Sequence, residues 1–336
     1  MNKKVRWGIL GCGRIAGKFA SDLRLVENAV LAAVASRDKL NADSFGKASG
    51  ADRVYYNYED LANAKDVDII YVATPHGLHF EHVMLCLEHG KAVLCEKAFA
   101  INARQANVMI GTARKKNLFL MEALWSKFIP SYQKMMQMIE EDKLGKINNV
   151  LINFGFIPQA PVAPRIFDPA LGGGTLLDIG VYNVFFALAA LGKPHSIEAC
   201  MTPAATGVDE QCAILFRYNN GAIAQLFSSF SSHLPTEANI SGDKGRLLLG
   251  HRFYAPESTL EYYPGRYDTK QIVEVEKVKG WGYHYEIAHA GECLRKGLTE
   301  SPVITHADTL LLMETLDEIR KKAGLRYPAD HTEAAE

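Results

Sequence analysis

The N-terminal segment combines a mostly apolar run, a short glycine pattern and an amphipathic repeat, in that order. The run covers residues 5–10 and has the composition of a strand buried in a parallel sheet. Apolar residues then recur at intervals of four, four and three, which predicts one face of a helix formed by Ile15, Phe19, Leu23 and Val26. A glycine-rich turn between a buried strand and a helix is typical of a dinucleotide-binding unit, so this segment constrains the fold most.

The turn itself reads Gly11-Cys12-Gly13-Arg14-Ile15-Ala16. In a nucleotide-binding turn the first glycine permits the tight bend, the second lets a pyrophosphate approach the backbone, and a small third residue lets helix and strand pack closely. The helix start also presents free N–H groups and a positive dipole end to phosphate. We therefore expect residues 11–15 to bind a cofactor. The alternative is an ordinary strand-to-helix turn that is rich in glycine.

Length and charge narrow the class of protein. A chain of 336 residues is long enough for about two domains, and its net charge of −1 removes the electrostatic case for binding nucleic acid or an anionic membrane. We expect no membrane span, because no run of about 18 apolar residues is apparent. Residues 1–4 lead directly into the first strand, which leaves no room for a signal peptide. The six cysteines contain no Cys-x-x-Cys pair, as expected of reduced thiols in a cytoplasmic protein.

A second apolar run, residues 29–35, ends in Ser36-Arg37-Asp38. The end of this strand is where a dinucleotide fold meets the adenosine ribose. A hydroxyl donor and a delocalised cation suit a 2′-phosphate, so Ser36 and Arg37 favour NADP. Asp38 follows and leaves NAD open. The alternative is a solvated arginine at a strand end.

Strand-like and helix-like segments alternate over residues 5–121, which predicts a doubly wound parallel sheet of Rossmann type. Helices are predicted at 39–49, 58–64, around 80–87 and after the N-cap Asn102. Further strands are predicted at 54–56, 68–72, 91–95 and 118–121. We place this dinucleotide-binding domain at residues 1–123.

The pattern changes after Leu124, where strand-like runs follow one another with few helices between them. They cover 149–156, 197–201, 210–217, 222–229, 236–241, 245–249, 258–263 and 271–276. Helices are predicted around 132–139, at 175–191, at about 284–297, and after a capping signal Thr305-x-x-Asp308. This order predicts an antiparallel or mixed sheet in an α+β domain that binds substrate and spans residues 124–336.

Two strand ends of the first domain carry reactive side chains. Ligands of an open α/β sheet bind outside the carboxyl ends of its strands. One end reads Thr74-Pro75-His76-Gly77-Leu78-His79, and the other reads Glu96-Lys97. A lysine there can hold a substrate hydroxyl and stabilise alkoxide character during hydride transfer. The alternative is a surface lysine paired with Glu96.

In the second domain, the block from Gly173 to Tyr182 contains a carboxylate and a phenol four residues apart. If the block is helical, Asp178 and Tyr182 lie on one face and together can position and deprotonate an alcohol. A tyrosine has a reference pKa of about 10, so it needs a nearby cation to act near neutral pH, and Lys97 can supply one. The alternative makes Asp178 a helix-stabilising residue and Tyr182 a core aromatic.

Other candidates carry weaker signals. His76, His79 and His82 are spaced by three, but no cysteine or carboxylate completes a metal site, so we expect no metal. An apolar wall with a few polar groups suits a sugar or a cyclic diol. Residues that can line such a pocket, or else belong to the core or the surface, are Trp125, Phe128, Phe154, Phe156, Arg165, Trp281 and His284.

These motifs, taken together, resemble those of the glucose–fructose oxidoreductase/inositol dehydrogenase (Gfo/Idh/MocA) family over nearly the whole chain. The shared stretches are Gly11–Ala16, Ala73–Pro75, Leu94–Lys97 and Gly173–Tyr182. Met121–Trp125, Arg165–Pro169 and Leu171–Tyr182 resemble the branch of dimeric dihydrodiol dehydrogenases and NADP-dependent xylose dehydrogenases. The resemblance implies a Rossmann domain, a second domain with a large open sheet, and a dimer or higher oligomer formed through that sheet.

The resemblance also implies roles for individual residues. Tyr182 would be the general acid and base, Lys97 its electrostatic partner and Asp178 the residue that orients them. It implies that His76 and His79 lie near the nicotinamide and that Trp125, Phe154 and Arg165 contact substrate. Most members have proline after the lysine, whereas this chain has Ala98.

We therefore expect an NADP-dependent dehydrogenase that acts on a secondary alcohol of a sugar, polyol or cyclic diol. Two other classes remain open at this point. One is a glycoside hydrolase that retains its nicotinamide, and the other is a non-catalytic dinucleotide sensor. A complete set of Lys97, Asp178 and Tyr182 argues against the sensor.

Overall fold

The first part of the chain forms a six-stranded parallel sheet. The computed structural model describes residues 4–265 and 269–331. The strands are β1 (Val5–Leu10), β2 (Ala29–Ala35), β3 (Arg53–Tyr55), β4 (Ile69–Val72), β5 (Ala92–Glu96) and β6 (Leu120–Ala123). Their order is β3-β2-β1-β4-β5-β6, and all neighbouring pairs are parallel. This is the strand order of a dinucleotide-binding fold, and it confirms the predicted doubly wound sheet.

Five helices connect these strands: α1 (Arg14–Leu23), α2 (Lys39–Ser49), α3 (Tyr58–Asn63), α4 (His79–Glu88) and α5 (Ala103–Lys116). Three of them, α2, α3 and α5, begin with a side-chain cap supplied by a short polar residue. The predicted N-cap Asn102 is confirmed, because its side-chain oxygen accepts the N–H of Gln105 at 2.9 Å. Asp38 caps α2 in the same way.

The later part of the chain forms an eight-stranded sheet. Its strands are β7 (Ile147–Gly155), β8 (Ser196–Pro203), β9 (Asp209–Arg217), β10 (Ile223–Ser229), β11 (Glu237–Gly242), β12 (Gly245–Gly250), β13 (Thr259–Pro264) and β14 (Gln271–Val273). The order is β14-β13-β12-β11-β7-β10-β9-β8. Strands β7 and β10 run parallel, and the other neighbouring pairs run antiparallel. The predicted large, mostly antiparallel sheet is therefore confirmed.

The remaining helices are α6 (Pro130–Glu140), α7 (Val181–Leu191), α8 (Tyr283–Arg295) and α9 (His306–Ala323). The capping signal predicted before α9 is present, because Thr305 Oγ1 accepts the Asp308 N–H at 3.1 Å and Asp308 Oδ2 accepts the Thr305 N–H at 3.1 Å. The helix predicted at 175–191 differs in its beginning. Residues Leu176–Gly180 form a π-helical turn, and regular α-helix begins at Val181.

Helical residues Pro169–Leu191 are long and apolar enough to cross a membrane by length and composition alone. We expected no such stretch, so the sequence-based reading of hydropathy was incomplete. In the folded chain 72% of the apolar window is buried within the protein. Burial of this extent is that of a core helix, which is hydrophobic on all sides because protein surrounds it.

Residue contacts divide the chain into two compact units, Met1–Lys127 with Lys279–Leu310 and Phe128–Val278 with Leu311–Glu336. The predicted division into 1–123 and 124–336 is a division of the linear sequence. The compact units depend instead on which residues pack together. Helix α8 belongs to the first unit, where the backbone N–H groups of Trp281 and Tyr283 donate to the buried Asp22 carboxylate.

Candidate functional site

The glycine turn of the first unit is shaped by the neighbouring strand ends. Gly11 follows β1 with a φ of +98° and donates its N–H to the Ala35 carbonyl at 3.0 Å. A Cβ atom at position 11 would lie 2.9 Å from Thr74 Cγ2 and 3.1 Å from the Ala73 carbonyl oxygen. Both the backbone conformation and the lack of space therefore require glycine.

The next residues leave the start of α1 open. Gly13 is the N-cap of α1 without a side-chain cap, and no atom lies within 4 Å of the place where its Cβ would be. Gly13 and Arg14 are exposed, and Ile15 is half-buried. Free N–H groups beside an open space fit a dinucleotide pyrophosphate. Cys12 offers its backbone only, because its thiol is buried against the Ala35 carbonyl and burial raises the thiol pKa to about 11.

At the end of β2, Arg37 precedes Asp38, whose carboxylate already accepts a hydrogen bond. The Asp38 carboxylate accepts the N–H of Asn41 at 3.0 Å as the cap of α2. Ser36 is buried, and its hydroxyl oxygen accepts the Asp38 N–H at 3.3 Å. Arg37 is exposed, with its guanidinium carbon 5.8 Å from the centre of the Tyr58 ring. The strand end thus presents the Arg37 cation outward, whereas the Ser36 hydroxyl is buried against the Asp38 N–H and the Asp38 carboxylate caps α2.

The turn after β4 is held by buried histidines. His79 has no exposed surface, and its ring nitrogens lie 2.9 Å from the Ala98 carbonyl oxygen and 2.8 Å from that of Thr74. Burial lowers the pKa of His79 to about 4, and its contacts with the Thr74 and Ala98 carbonyl oxygens oppose that fall. His79 therefore connects the turn after β4 to the residue that follows Lys97. Its contact with a cofactor stays a prediction.

The other residues of this turn lie nearby. Pro75 precedes a short 3₁₀ helix, His76–Leu78, and the His76 ring is buried 5.7 Å from that of His79. His82 is buried on α4, and its Nδ1 lies 2.9 Å from Thr74 Oγ1. No group of three or more His, Cys, Asp or Glu side chains suited to a metal ion occurs in residues 4–265 and 269–331.

The end of β5 brings a lysine next to this turn, because β4 and β5 are neighbours with Val72 opposite Cys95. Glu96 is buried; it accepts the Tyr71 hydroxyl through Oε1 and the Lys97 N–H at 3.2 Å through Oε2. Lys97 is half-buried, and the Lys97–Ala98 peptide bond is cis. The structure thus holds the backbone of Lys97 at the carboxyl edge of the sheet, where the sequence placed it.

Three predicted pocket residues of the first unit are packed against other side chains. The Trp125 ring is buried and stacked on Tyr283, with ring centres 4.7 Å apart. The Lys18 ammonium lies 4.1 Å from the centre of the Trp281 ring. His284 Nδ1 lies 3.7 Å from Asp22 Oδ2. Substrate contacts by Trp125 remain a prediction.

The second unit brings Asp178, Tyr182 and Arg165 together. Asp178 lies in the π-helical turn, and Tyr182 follows in the first turn of α7. Arg165 Nη1 lies 3.4 Å from Asp178 Oδ2. The loop that carries Arg165 is fixed to the glycine stretch, because Gly174 donates its N–H to the Ile166 carbonyl at 2.8 Å. A carboxylate, a guanidinium and a phenol therefore lie at one end of α7.

Aromatic rings surround Tyr182. Its ring centre lies 4.6 Å from that of Tyr254 and 6.3 Å from that of Phe154. Phe154 stacks on Tyr254 at 4.6 Å, and Phe156 lies 6.2 Å from Phe154. Phe154 points to this side of β7 because residues of a strand alternate between its two faces. The predicted candidates Phe154 and Phe156 thus belong to one aromatic cluster with Tyr182.

Sequence reasoning did not find Arg252 and Tyr254. Arg252 donates to the Tyr254 hydroxyl from Nε at 3.2 Å and Nη2 at 3.0 Å, and its Nη1 bonds to Glu257. His251 and Arg252 have φ values of +52° and +68°, a conformation that is costly for side-chain-bearing residues and occurs at functional sites. Burial raises the pKa of Tyr254, and the Arg252 charge opposes that rise. The loop between β12 and β13 has no motif that would have indicated either residue.

Comparison with known proteins identifies the family. One family model, described as an oxidoreductase family with an NAD-binding Rossmann fold, matches residues 5–124, and the GFO/IDH/MocA C-terminal domain matches residues 132–248. A trans-1,2-dihydrobenzene-1,2-diol dehydrogenase of Sus scrofa is 36% identical over 340 residues, with 97% of this chain and 99% of that protein covered. The chain belongs to the GFO/IDH/MocA oxidoreductase family. The enzymes of the same name from Mus musculus and Homo sapiens are 37% and 35% identical, with the same coverage.

Solved GFO/IDH/MocA-like structures share the whole fold. A 3-ketoreductase from Actinomadura kijaniata, solved with NADP and TDP-benzene, is 26% identical with a TM-score of 0.86, covering 96% of this chain and 98% of that one. An aldose-aldose oxidoreductase from Caulobacter crescentus, at 24% identity and a TM-score of 0.87 over the same shares, supports the fold alone. The family assignment made from sequence motifs is therefore confirmed. The chain is an enzyme of an oxidoreductase family whose first domain binds a nicotinamide dinucleotide.

Proposed function

We propose that the chain is an NADP-dependent dehydrogenase that oxidises a secondary alcohol of a cyclic diol, sugar or polyol. The observation that carries this proposal is the full-length similarity to dehydrogenases of trans-1,2-dihydrobenzene-1,2-diol, at 35–37% identity over 97% of the chain. Family members on this fold act on CH–OH groups, and the polar end of α7 supplies suitable side chains. The catalytic roles and the preference for NADP are part of the proposal.

The cofactor would be held by the first unit. Residues 11–15 would bind the pyrophosphate at the start of α1, and Ser36 with Arg37 would bind the 2′-phosphate. Thr74, Pro75, His76, His79 and Glu96 would shape the nicotinamide end, directly or by holding the backbone that contacts it. The bound nicotinamide supplies the hydride acceptor for the oxidation, and the hydride donor for the reverse reaction.

The proton would be handled by Tyr182. As the substrate C–H bond breaks with loss of hydride, the hydroxyl proton passes to the Tyr182 oxygen and the C–O bond becomes a carbonyl. Lys97 would favour the ionised phenol through its charge and would hold the substrate oxygen. Asp178, held by Arg165, would orient a substrate hydroxyl. Each of these residue types can perform its role without a metal ion.

The aromatic cluster around Tyr182 supports a cyclic substrate. Phe154, Phe156 and Tyr254 present ring faces and edges, which suit the apolar face of a pyranose or of a dihydroxylated six-membered ring. Neighbouring hydroxyls of such a ring point to its edge, where Tyr182 and the Asp178–Arg165 pair can bind them. We propose that Trp125 also contacts the substrate.

The enzyme would act as a cytoplasmic homodimer or larger homo-oligomer formed through the eight-stranded sheet. The six cysteines are free, and five of them are buried, as in proteins that keep their thiols reduced. One face of the sheet carries apolar side chains that the described residues cover only in part: Leu151 is exposed, and Leu215, Phe227 and Leu248 are half-buried. A second copy of the same face would cover them.

The activity test is a screen of purified protein with NADP and NAD against aldoses, inositols and dihydrodiols, following nicotinamide absorbance. We expect net cofactor reduction with at least one class of substrate. Lys97→Met and Tyr182→Phe should lower kcat by about 100-fold or more while cofactor affinity, measured by fluorescence, changes little. Lys115→Met and Tyr262→Phe change exposed or half-buried residues of the same types and should leave kcat unchanged.

The same experiment distinguishes the other classes of protein. A glycosidase that retains its nicotinamide would release sugar without any net absorbance change. A sensor would bind NADP tightly and show no turnover with any compound of the panel. Near-normal turnover of either Lys97→Met or Tyr182→Phe would exclude the proposed role of that residue.

A further inference from the structure

The π-helical turn that carries Asp178 is anchored by a buried carboxylate on another element. Asp209 is the first residue of β9 and has no exposed surface. Its Oδ2 accepts the Leu176 N–H at 2.7 Å and the Thr175 hydroxyl at 2.6 Å. The first N–H groups of a helix lack partners within the helix, so Asp209 supplies from outside the cap that the helix does not supply itself.

A second hydroxyl extends this anchor to the aromatic cluster. Thr175 Oγ1 also lies 2.9 Å from Ser228 Oγ, and because the Thr175 proton goes to Asp209, Ser228 is the donor in this contact. Ser228 lies on β10 opposite Phe154 of β7 and Cys212 of β9. The start of the π-helical turn is thus hydrogen-bonded to the central strands of the sheet through the buried hydroxyls of Thr175 and Ser228.

The glycines before the turn make room for the carboxylate. A Cβ atom at Gly174, where φ is +107°, would lie 2.1 Å from Asp209 Oδ1. The carbonyl of the preceding Gly173 accepts the Tyr327 hydroxyl at 2.6 Å. Tyr327 thus holds the glycine stretch at Gly173, Asp209 holds the residues that follow it, and the lack of space beside Asp209 requires glycine at position 174.

This anchor comes at a cost to stability. Burial raises the pKa of Asp209 to about 6, against the opposing effect of its hydrogen bonds from Thr175 and Leu176, and Oδ1 has no hydrogen-bond partner among the described residues. A carboxyl group whose pKa is raised by folding stabilises the fold when protonated, and this contribution is lost as pH rises to about 6 and above. At neutral pH the Asp209 carboxylate is therefore a buried charge. An asparagine side chain at this position would be neutral and would avoid the cost of burying that charge.

We propose that Asp209 is a positioning residue, whose carboxylate sets the start of the π-helical turn so that Asp178 and Tyr182 are presented together at the end of α7. This proposal rests on the proposed function, because it takes Asp178 and Tyr182 as the groups that act on substrate. A charged acceptor makes hydrogen bonds about twice as strong as a neutral one. The stronger bonds suit a π-helical turn, which is rare and occurs often at functional sites.

The test compares wild type with Asp209→Asn, Thr175→Val and the conservative Thr175→Ser. The amide keeps an acceptor of the same shape, so we expect the variant to fold with a thermal stability at pH 8 equal to or above that of wild type. Hydrogen exchange of amides 176–182 should accelerate about ten-fold, because the charge-assisted bonds are weakened. Thr175→Val should show a similar local effect, and Thr175→Ser should restore the wild-type exchange rate.

The matched control is Asp22→Asn, at a buried carboxylate of the first unit that also accepts backbone N–H groups. It should leave exchange at 176–182 unchanged.

The pH dependence of kcat distinguishes a positioning role of Asp209 from a merely structural one. The ratio of wild-type to Asp209→Asn kcat should be about ten at pH 8 and should approach one at pH 5, where the wild-type carboxyl is protonated. The titratable groups facing Asp209 are Cys212 on its own strand and Tyr327, and burial raises the pKa of both, so neither titrates in this range. Cofactor affinity should be unchanged.

The outcomes separate this inference from the proposed function. If exchange at 176–182 is unaltered in Asp209→Asn, or if the kcat ratio is one at every pH, Asp209 does not position the turn. If Tyr182→Phe retains full turnover, the proposed function is wrong even when the exchange result is as expected. Loss of turnover in Tyr182→Phe together with a kcat ratio that varies with pH supports both.

Discussion

At the residue scale, Arg37 is the side chain on which the proposed preference for NADP depends. It is exposed at the end of β2, beside Ser36 and above the Tyr58 ring. The neighbouring Asp38, which could have favoured NAD, caps α2 through a hydrogen bond to Asn41. In the proposed function this cation would bind the 2′-phosphate of NADP, whereas the Asp38 carboxylate already satisfies a backbone N–H group.

Arg37→Asp should shift cofactor preference from NADP towards NAD. A guanidinium bound to phosphate makes charge-assisted hydrogen bonds, and their loss together with repulsion from the new carboxylate should change the ratio of the two kcat/KM values by about ten- to hundred-fold. The measurement is steady-state kinetics with both cofactors. Lys47→Asp makes the same charge change in the last turn of α2 and should not alter the ratio. A wild type that already prefers NAD strongly would show that the interpretation of Ser36 and Arg37 is wrong.

At the scale of elements, the structure connects β6 to α9 through a buried acid. Glu122 on β6 is 1% exposed and accepts the Thr309 hydroxyl at 3.0 Å. Its Oε1 has no hydrogen-bond partner in the described part of the chain. Burial raises the pKa of Glu122 to about 7, with hydrogen bonds from Thr309 and Phe99 opposing the rise. One strand-to-helix contact thus contains a carboxyl group that is partly protonated at neutral pH.

Glu122→Gln should therefore change stability in a pH-dependent way. Because folding raises this pKa, the protonated form stabilises the native state at pH 4.5 and below, and the contribution is lost as pH rises through about 7. The amide stays neutral, so relative to wild type it should gain about 2.5 kcal/mol in free energy of unfolding between pH 5 and pH 8. Urea unfolding at both pH values measures this difference. The exposed Glu88→Gln is the control, and an equal effect of Glu122→Gln at both pH values would contradict the prediction.

The π-helical turn is another feature of this scale. The sequence predicts one helix over 175–191, and residues 181–191 confirm most of it. Periodicity could not predict the π-helical turn, because its start is held by Asp209, which lies 34 positions from Thr175 in the sequence. A local pattern records which side of a segment is buried, but not which distant side chain accepts its first N–H group.

At the scale of the whole molecule, the eight-stranded sheet has one face that the described residues of the chain cover only in part. Residues 150, 152 and 154 of β7 are buried on one side, whereas Leu151 on the other is 39% exposed. Leu151 lies opposite Gln225, and Phe227 lies opposite Asn153 and Ala213, so these side chains share that face. A sheet face that leaves apolar side chains such as Leu151 and Phe227 exposed or half-buried beside polar ones is typical of an interface between subunits.

Leu151→Asp should therefore convert the proposed dimer to a monomer. Two copies related by a two-fold axis would place the introduced carboxylates in the same apolar interface, where an unpaired charge is costly. Light scattering coupled to size-exclusion chromatography measures the mass, and circular dichroism checks the fold. Leu40→Asp changes a leucine that is 83% exposed on α2 and should leave the mass unchanged. A wild-type chain that is monomeric at micromolar concentration would refute the proposed assembly.

The sequence by itself determined the elements and the family. Strand 29–35 and helix 39–49 have the same bounds in prediction and structure, because alternation, helical repeat and end-capping are written in adjacent residues. The turn Gly11–Ala16 and the strand ends at Thr74 and Lys97 could be recognised for the same reason. Asp178 and Tyr182 were found because they lie four positions apart on one helical segment.

Only the tertiary structure decided what surrounds these residues. Arg252 and Tyr254 reach the aromatic cluster from a loop without a motif, His79 connects two strand ends through buried ring nitrogens, and Asp209 caps a turn that it does not adjoin in sequence. Each of these contacts joins segments far apart in the chain. Their hydrogen bonds depend on how the strands and helices pack, and packing leaves no periodic signal in neighbouring residues.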